Sequence, residues 1–129
     1  MPGNLIKDYM RSPILSVDSE KTIREAAEFM MNKGVRSLFV KEKDEYVGIV
    51  TKTDFISKVY IRECMDPDSD LVFEIMSKSI LTLDLNSTME KARKFMQKNQ
   101  IGHLGVTEDS KIIGILSKED LLGYFGKLS

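Results

Sequence analysis

The residues best suited to chemistry come as a repeated pair, Thr51 with Asp54 three positions on and Ser117 with Asp120 at the same spacing. Each pair follows a short apolar run opened by glycine, Gly48-Ile49-Val50 and Gly114-Ile115-Leu116. A hydroxyl residue where a strand hands over to a helix sits beside unpaired N–H groups and the positive end of the helix dipole, which suits an anion such as phosphate. A carboxylate in that first turn can accept two hydrogen bonds from neighbouring hydroxyls of a ribose. The same spacing is also an ordinary helix cap, worth about 0.5–2 kcal/mol with no ligand present. Spacing leaves both roles open.

Other chemistries find little support. The chain has 129 residues, 42% of them apolar, and a net charge of −1. That suits one compact domain or two small interdependent ones. Without a basic run, a dedicated nucleic-acid binder is not expected. No apolar run approaches the roughly 20 residues that span a bilayer. Met1-Pro2-Gly3-Asn4 lacks the basic and then apolar stretch of a secretory signal, so a cytoplasmic location is expected. One cysteine, Cys64, and one histidine leave no internal disulfide and no zinc-ligand cluster. Cys64 has no neighbouring base in the sequence and reads as a structural thiol. Asp66, Asp68 and Asp70 alternate as in a calcium loop, but the glycine at the sixth place and the glutamate at the twelfth are missing. With no Gly-rich phosphate loop carrying lysine and no nucleophile paired with a base, the expectation is a protein without catalytic activity.

The elements that must position the two pairs are themselves repeated. Met10 falls on Met76 at an offset of 66, and the register runs without a gap to Ile56 on Leu122. Ala26, Phe29 and Met30 match Ala92, Phe95 and Met96, and Lys52 matches Lys118. Two copies are too few for a solenoid, so the copies are expected to pack as a pseudo-twofold pair. Within the first copy, Ile14, Leu15 and Val17 form a short apolar segment. Ile23, Ala26, Ala27 and Met30 then recur at helical spacing. Thr22 with Glu25 has the capping-box pattern, and Gly34 can end the helix in the left-handed conformation. Leu38 to Val40 and Tyr46 to Val50 are β-rich runs around a charged turn, Lys41 to Glu45. Phe55, Ile56, Val59 and Tyr60 return to helical spacing, which completes an α+β unit of order β-α-β-β-α. The predicted organisation is residues 1–62, a linker over 63–71, and residues 72–129. Gly48 and Gly114 are expected to allow close backbone approach, for packing or for a ligand. Met30, Met31, Met89 and Met96 lie on helix faces suited to core or interface.

A duplicated β-α-β-β-α unit with these motifs resembles the CBS-domain family, named after cystathionine β-synthase, whose paired units form a Bateman module. The resemblance covers nearly the whole chain. It rests on Met10-Arg11-Ser12-Pro13 and Met76-Ser77-Lys78-Ser79 at the unit starts, and on Gly48 to Asp54 and Gly114 to Asp120 at the ends. The family usually has proline in the second strand, where this chain has Phe39 and Gly105.

The resemblance implies a regulatory module that binds AMP, ADP, ATP or S-adenosylmethionine and requires no cofactor. It further implies a homodimer that acts on a separate enzyme or transporter. A ligand-free dimerisation or scaffold module is the alternative. Carried over residue by residue, Thr51 with Asp54 and Ser117 with Asp120 contact phosphate and ribose. Val35-Arg36-Ser37 and Ile101-Gly102-His103 line the clefts that hold the base. Arg36 can hold phosphate bidentately, whereas Gly102 at the matching position has no side chain, so the two sites should differ. His103 would add a pH-sensitive contact, or be simply packed. Ser16 and Thr82 could approach the ligand edge, or be ordinary strand residues.

Overall fold

The 66-residue repeat appears in the computed structural model, which describes residues 3–61 and 65–126, as two copies of one element order. Glu63 and Cys64 lie outside the described residues. The first copy runs β1 (Ser16–Asp18), α1 (Ile23–Lys33), β2 (Ser37–Glu42), β3 (Glu45–Thr51) and α2 (Lys52–Asp54), which continues as π-helical Phe55–Ile61. The second runs β4 (Thr82–Asp84), α3 (Met89–Asn99), β5 (His103–Glu108), β6 (Lys111–Ser117) and α4 (Lys118–Phe125). Short 3-10 turns, Ile6–Asp8 and Val72–Glu74, precede the copies.

Each copy builds a three-stranded sheet, β1-β2-β3 and β4-β5-β6. The first pairing in each is parallel and needs a crossover, which α1 or α3 supplies; the second is an antiparallel hairpin. The predicted capping box closes α1: Glu25 N–H donates to the Thr22 hydroxyl at 3.1 Å, and Thr22 N–H donates to Glu25 at 3.0 Å. Those bonds, the one from the Thr22 backbone foremost, hold the Glu25 carboxyl below its usual range. Gly34 ends α1 at φ 65°, as its lack of Cβ allows, but α3 ends on Gln100 at φ 54°.

The hairpins are tighter than the charged stretch suggests. β2 runs to Glu42 and β3 begins at Glu45, leaving Lys43-Asp44 as the connection. In the second copy Asp109 and Ser110 take φ of 50° and 69°, both left-handed as a two-residue hairpin turn of the twisted strands demands. The helical spacing of Phe55 to Tyr60 yields only one α-helical turn before the wider π-helical stretch, which still buries Phe55 and Val59.

The compact units are not the repeats as they lie in sequence. One is Leu15–Ile80, and the other joins Met1–Ile14 to Leu81–Ser129. In the first, Ile23 N–H donates to the Asp70 carbonyl at 2.9 Å and Val72 N–H to Lys21 at 2.8 Å. The second has the same contacts 66 places over: Met89 N–H donates to Asn4 and Ile6 N–H to Ser87, both at 2.8 Å. Each segment before a repeat therefore satisfies the free N–H groups at the helix start of the other repeat. The stretch predicted as a linker is docked from Met65 onward: Met65 packs on the core of its unit, Pro67 accepts from Arg24 N–H, and Asp68 pairs with the Arg24 guanidinium.

The two cores repeat as well. Ile23, Ala26, Met30, Leu38, Val40 and Val50 centre one, with Val72, Ile75 and Met76 from the following segment. Met89, Ala92, Met96, Leu104, Val106 and Leu116 centre the other, with Ile6 fully buried among them. Burying an isoleucine side chain contributes about 1.5–3 kcal/mol, so these segments are parts of the cores they close.

Candidate functional site

Both hydroxyl–carboxylate pairs fold into reciprocal caps. Asp120 Oδ2 accepts from Ser117 N–H at 2.9 Å and from the Ser117 hydroxyl at 3.0 Å, and Asp120 N–H donates back to Ser117 Oγ at 3.3 Å. Thr51 and Asp54 repeat this at 2.8, 3.1 and 3.3 Å. Capping is thus realised in both copies, and it fixes each carboxylate in one orientation with only its Oδ2 used. The copies differ at Oδ1. Asp54 Oδ1 faces the Lys58 ammonium at 3.2 Å, and the same ammonium donates to the Ile75 carbonyl at 2.8 Å. Among the described residues, Asp120 Oδ1 accepts no hydrogen bond.

The segments before β2 and β5 lie against these caps. Ser37 pairs with Thr51 across the hairpin and His103 with Ser117. The carbonyls of Arg36 and Gly102 each accept the first helical N–H, from Lys52 and Lys118, at 2.9 Å. Arg36, Ser37, Thr51 and Asp54 are thereby gathered in one unit, and Gly102, His103, Ser117 and Asp120 in the other. Ser16 lies opposite Phe39 and Thr82 opposite Gly105, two positions further along the sheet from Ser37 and His103. Val35 and Ile101 pack against the cores. Val35 and Arg36 also line an apolar groove of about 270 Å³ with Met30, Met31, Lys52, Phe55, Ile56 and Tyr60, which Thr51 and Asp54 do not line.

The residues standing where the family has proline use their backbone donors. Phe39 N–H donates to the Leu15 carbonyl at 3.1 Å, and Gly105 N–H to Leu81 at 2.9 Å. Proline, lacking an N–H, could make neither bond.

Burial pushes the His103 imidazole below its usual pKa. Lys118 and Arg11 act in the same direction, while Glu119 and Asp120 oppose it. Arg11 reaches this neighbourhood because its backbone pairs with Ile115, exchanging hydrogen bonds of 2.9 and 3.1 Å. Four cations join the site that were not singled out from the sequence. Lys52 and Lys118 could have been, since both stand inside the repeated motif. Arg11 lies in the Met10 to Pro13 motif, but nothing in one chain's order says that this motif folds onto β6. Lys58 stands four residues after Asp54, the spacing at which helical side chains meet, yet its counterpart is Tyr124 and the repeat hides it. Gly48 and Gly114 serve packing: a Cβ on Gly48 would fall 2.7 Å from the Ser77 carbonyl, and one on Gly114 2.8 Å from that of Arg11.

The comparisons agree with this architecture. The CBS domain model matches residues 6–60 and 72–127. An uncharacterized protein of Methanocaldococcus jannaschii is 30% identical over 116 residues, covering 88% of this chain and 61% of that protein. The chain thus spans about three fifths of that relative's length. An uncharacterized conserved protein from Pyrococcus horikoshii has a crystal structure that superposes with a TM-score of 0.87 at 29% identity, covering 100% of this chain and 97% of that one. The CBS domain pair of protein MJ0100, solved in complex with 5′-methylthioadenosine and S-adenosyl-L-methionine, superposes with a TM-score of 0.83 at 25% identity, covering 97% of this chain and 98% of that one. No helix among the described residues is long and apolar enough to cross a membrane. With the model matched twice, and the repeated β-α-β-β-α unit ending each time in the Gly-to-Asp motif, the chain belongs to the CBS domain family and is a tandem CBS pair.

Proposed function

We propose that the chain is a cytoplasmic regulatory module that senses an adenosyl ligand of the AMP, ADP or ATP type, catalyses nothing itself, and acts on a separate enzyme or transporter. The supporting observation is the twice-formed cap in which Thr51 or Ser117 fixes a carboxylate through its Oδ2 alone. The CBS pair that holds methylthioadenosine and S-adenosylmethionine gives this weight, because both ligands carry the ribose diol that such a carboxylate can accept from. Phosphates would find Arg36 and Lys52 beside one cap, and Arg11, Lys118 and His103 beside the other. Control of a partner then requires that the ligand bind two states of the module with different affinities.

A ligand-free dimerisation module is the second reading, favoured by the exposed apolar side chains of Met31, Tyr60 and Ile61, with exposures of 79, 70 and 72%. Such a face suits a homodimer, which the sensing role also permits. Calorimetric titration of nucleotide-stripped protein with AMP, ATP and S-adenosylmethionine separates the readings. Saturable heat supports sensing, and a folded dimer that takes up none of the three supports the scaffold.

A further inference from the structure

We infer that Lys58 makes the two copies unequal: it occupies the first copy's carboxylate, so that Asp120 is the working ribose acceptor and each chain binds one adenosyl ligand. This rests on the sensing reading above. Asp54 spends Oδ2 on Thr51 and Oδ1 on Lys58, at 2.8, 3.1 and 3.2 Å. Lys58 is held from a second side by the Ile75 carbonyl at 2.8 Å, so its ammonium is anchored and does not swing away freely. The pair is sheltered, with side-chain exposures of 16% for Asp54 and 33% for Lys58. A partly buried ion pair resists being broken, because the charge left behind loses its compensation. A ribose diol entering the first copy must therefore compete for Oδ1 with a cation already bonded there.

Among the described residues, the second copy has no such competitor. Tyr124 stands at the place of Lys58 and packs its ring against Tyr9 and Phe125, with centroids 5.3 and 4.8 Å away. Asp120 keeps the same two bonds from Ser117 on Oδ2, while Oδ1 accepts none from the described residues. A hydroxyl-to-carboxylate bond is charge-assisted and among the stronger hydrogen bonds a ligand can make.

Calorimetric titration with AMP and with 5′-methylthioadenosine tests this; the second carries the diol without phosphate and so reads the carboxylate more directly. The wild-type chain should bind one equivalent of either, and Asp120→Asn should weaken that equivalent at least about tenfold, the usual worth of a lost charged hydrogen bond. Lys58→Met should add a second equivalent, and adding Asp54→Asn to that variant should remove it again. Lys58→Gln repeats the gain while keeping a donor for the Ile75 carbonyl, should the methionine variant fold poorly. Two equivalents in the wild type, an equivalent indifferent to Asp120→Asn, or Lys58 variants still at one equivalent would overturn the inference while leaving adenosyl sensing intact. No heat from the wild type with either compound would remove the sensing reading and this inference with it.

Discussion

Gly48 lies directly beneath Met76: a Cβ built on the glycine would fall 2.5 Å from the Met76 sulfur and 2.7 Å from the neighbouring Ser77 carbonyl. The sulfur ends a flexible side chain and can move. The carbonyl cannot, because Ile49 and Ser77 exchange backbone hydrogen bonds of 2.9 and 2.8 Å. Gly48→Ala should therefore cost about 1–3 kcal/mol of stability, as overpacking does. Gly114→Ala should behave alike, since its Cβ would meet the Arg11 carbonyl at 2.8 Å. At Gly102 the closest neighbour is the Lys118 stem at 3.5 Å, so Gly102→Ala should leave the unfolding midpoint nearly unchanged. Urea denaturation of the three variants checks the contrast.

The crossed segments make a sharper prediction. Ile6 precedes the first repeat but is buried in the core built by Met89, Leu104 and Leu116. Ile6→Ala should remove about 2–5 kcal/mol, the range for truncating a buried isoleucine. The loss should appear where the side chain packs. Amide hydrogen exchange should quicken in β5 and β6 more than in β2 and β3, although Ile6 lies nearer the latter in sequence. Equal acceleration in both sheets would contradict the local effect.

Much of this was legible in the sequence. The spacing of Ile23, Ala26 and Met30 and the Thr22–Glu25 box produce the helix they predict, because both act within a few residues. The Thr51–Asp54 and Ser117–Asp120 caps are local for the same reason. The crossing was not legible, although Leu5-Ile6 and Leu71-Val72 match at the same offset. A repeat shows which elements occur twice, and equivalent segments could pack on either copy without changing its pattern. Lys58 was hidden too, since its reach to Ile75 depends on where the following segment docks.

Gln100 occupies a left-handed position that the first repeat gives to Gly34, at φ 54° against 65°. A side chain costs about 1–2 kcal/mol there, whereas glycine fits freely but loses more chain entropy on folding. Gln100→Gly should thus stabilise the protein by about 0.5–1 kcal/mol, a rise in unfolding midpoint measurable by calorimetry. Gly34→Ala should do the reverse by a similar amount. Nothing lies within 4 Å of a Cβ at Gly34, so that loss would report backbone strain alone.

His103 gives the fold a dependence on acidity. Burial holds its pKa below the ordinary 6.5, with Lys118 and Arg11 adding to the effect against Glu119 and Asp120. Between that lowered value and 6.5 the unfolded chain takes up a proton that the folded chain refuses, so acidification favours unfolding. This contribution is fully present above pH 6.5 and is lost as the pH falls from there through the lowered folded value. His103→Asn cannot titrate, and its stability should vary less than the wild type's across that window. Denaturation midpoints for both proteins at half-unit steps from pH 7.5 to about 5 measure the difference. Parallel curves would show that the pH dependence comes from other groups.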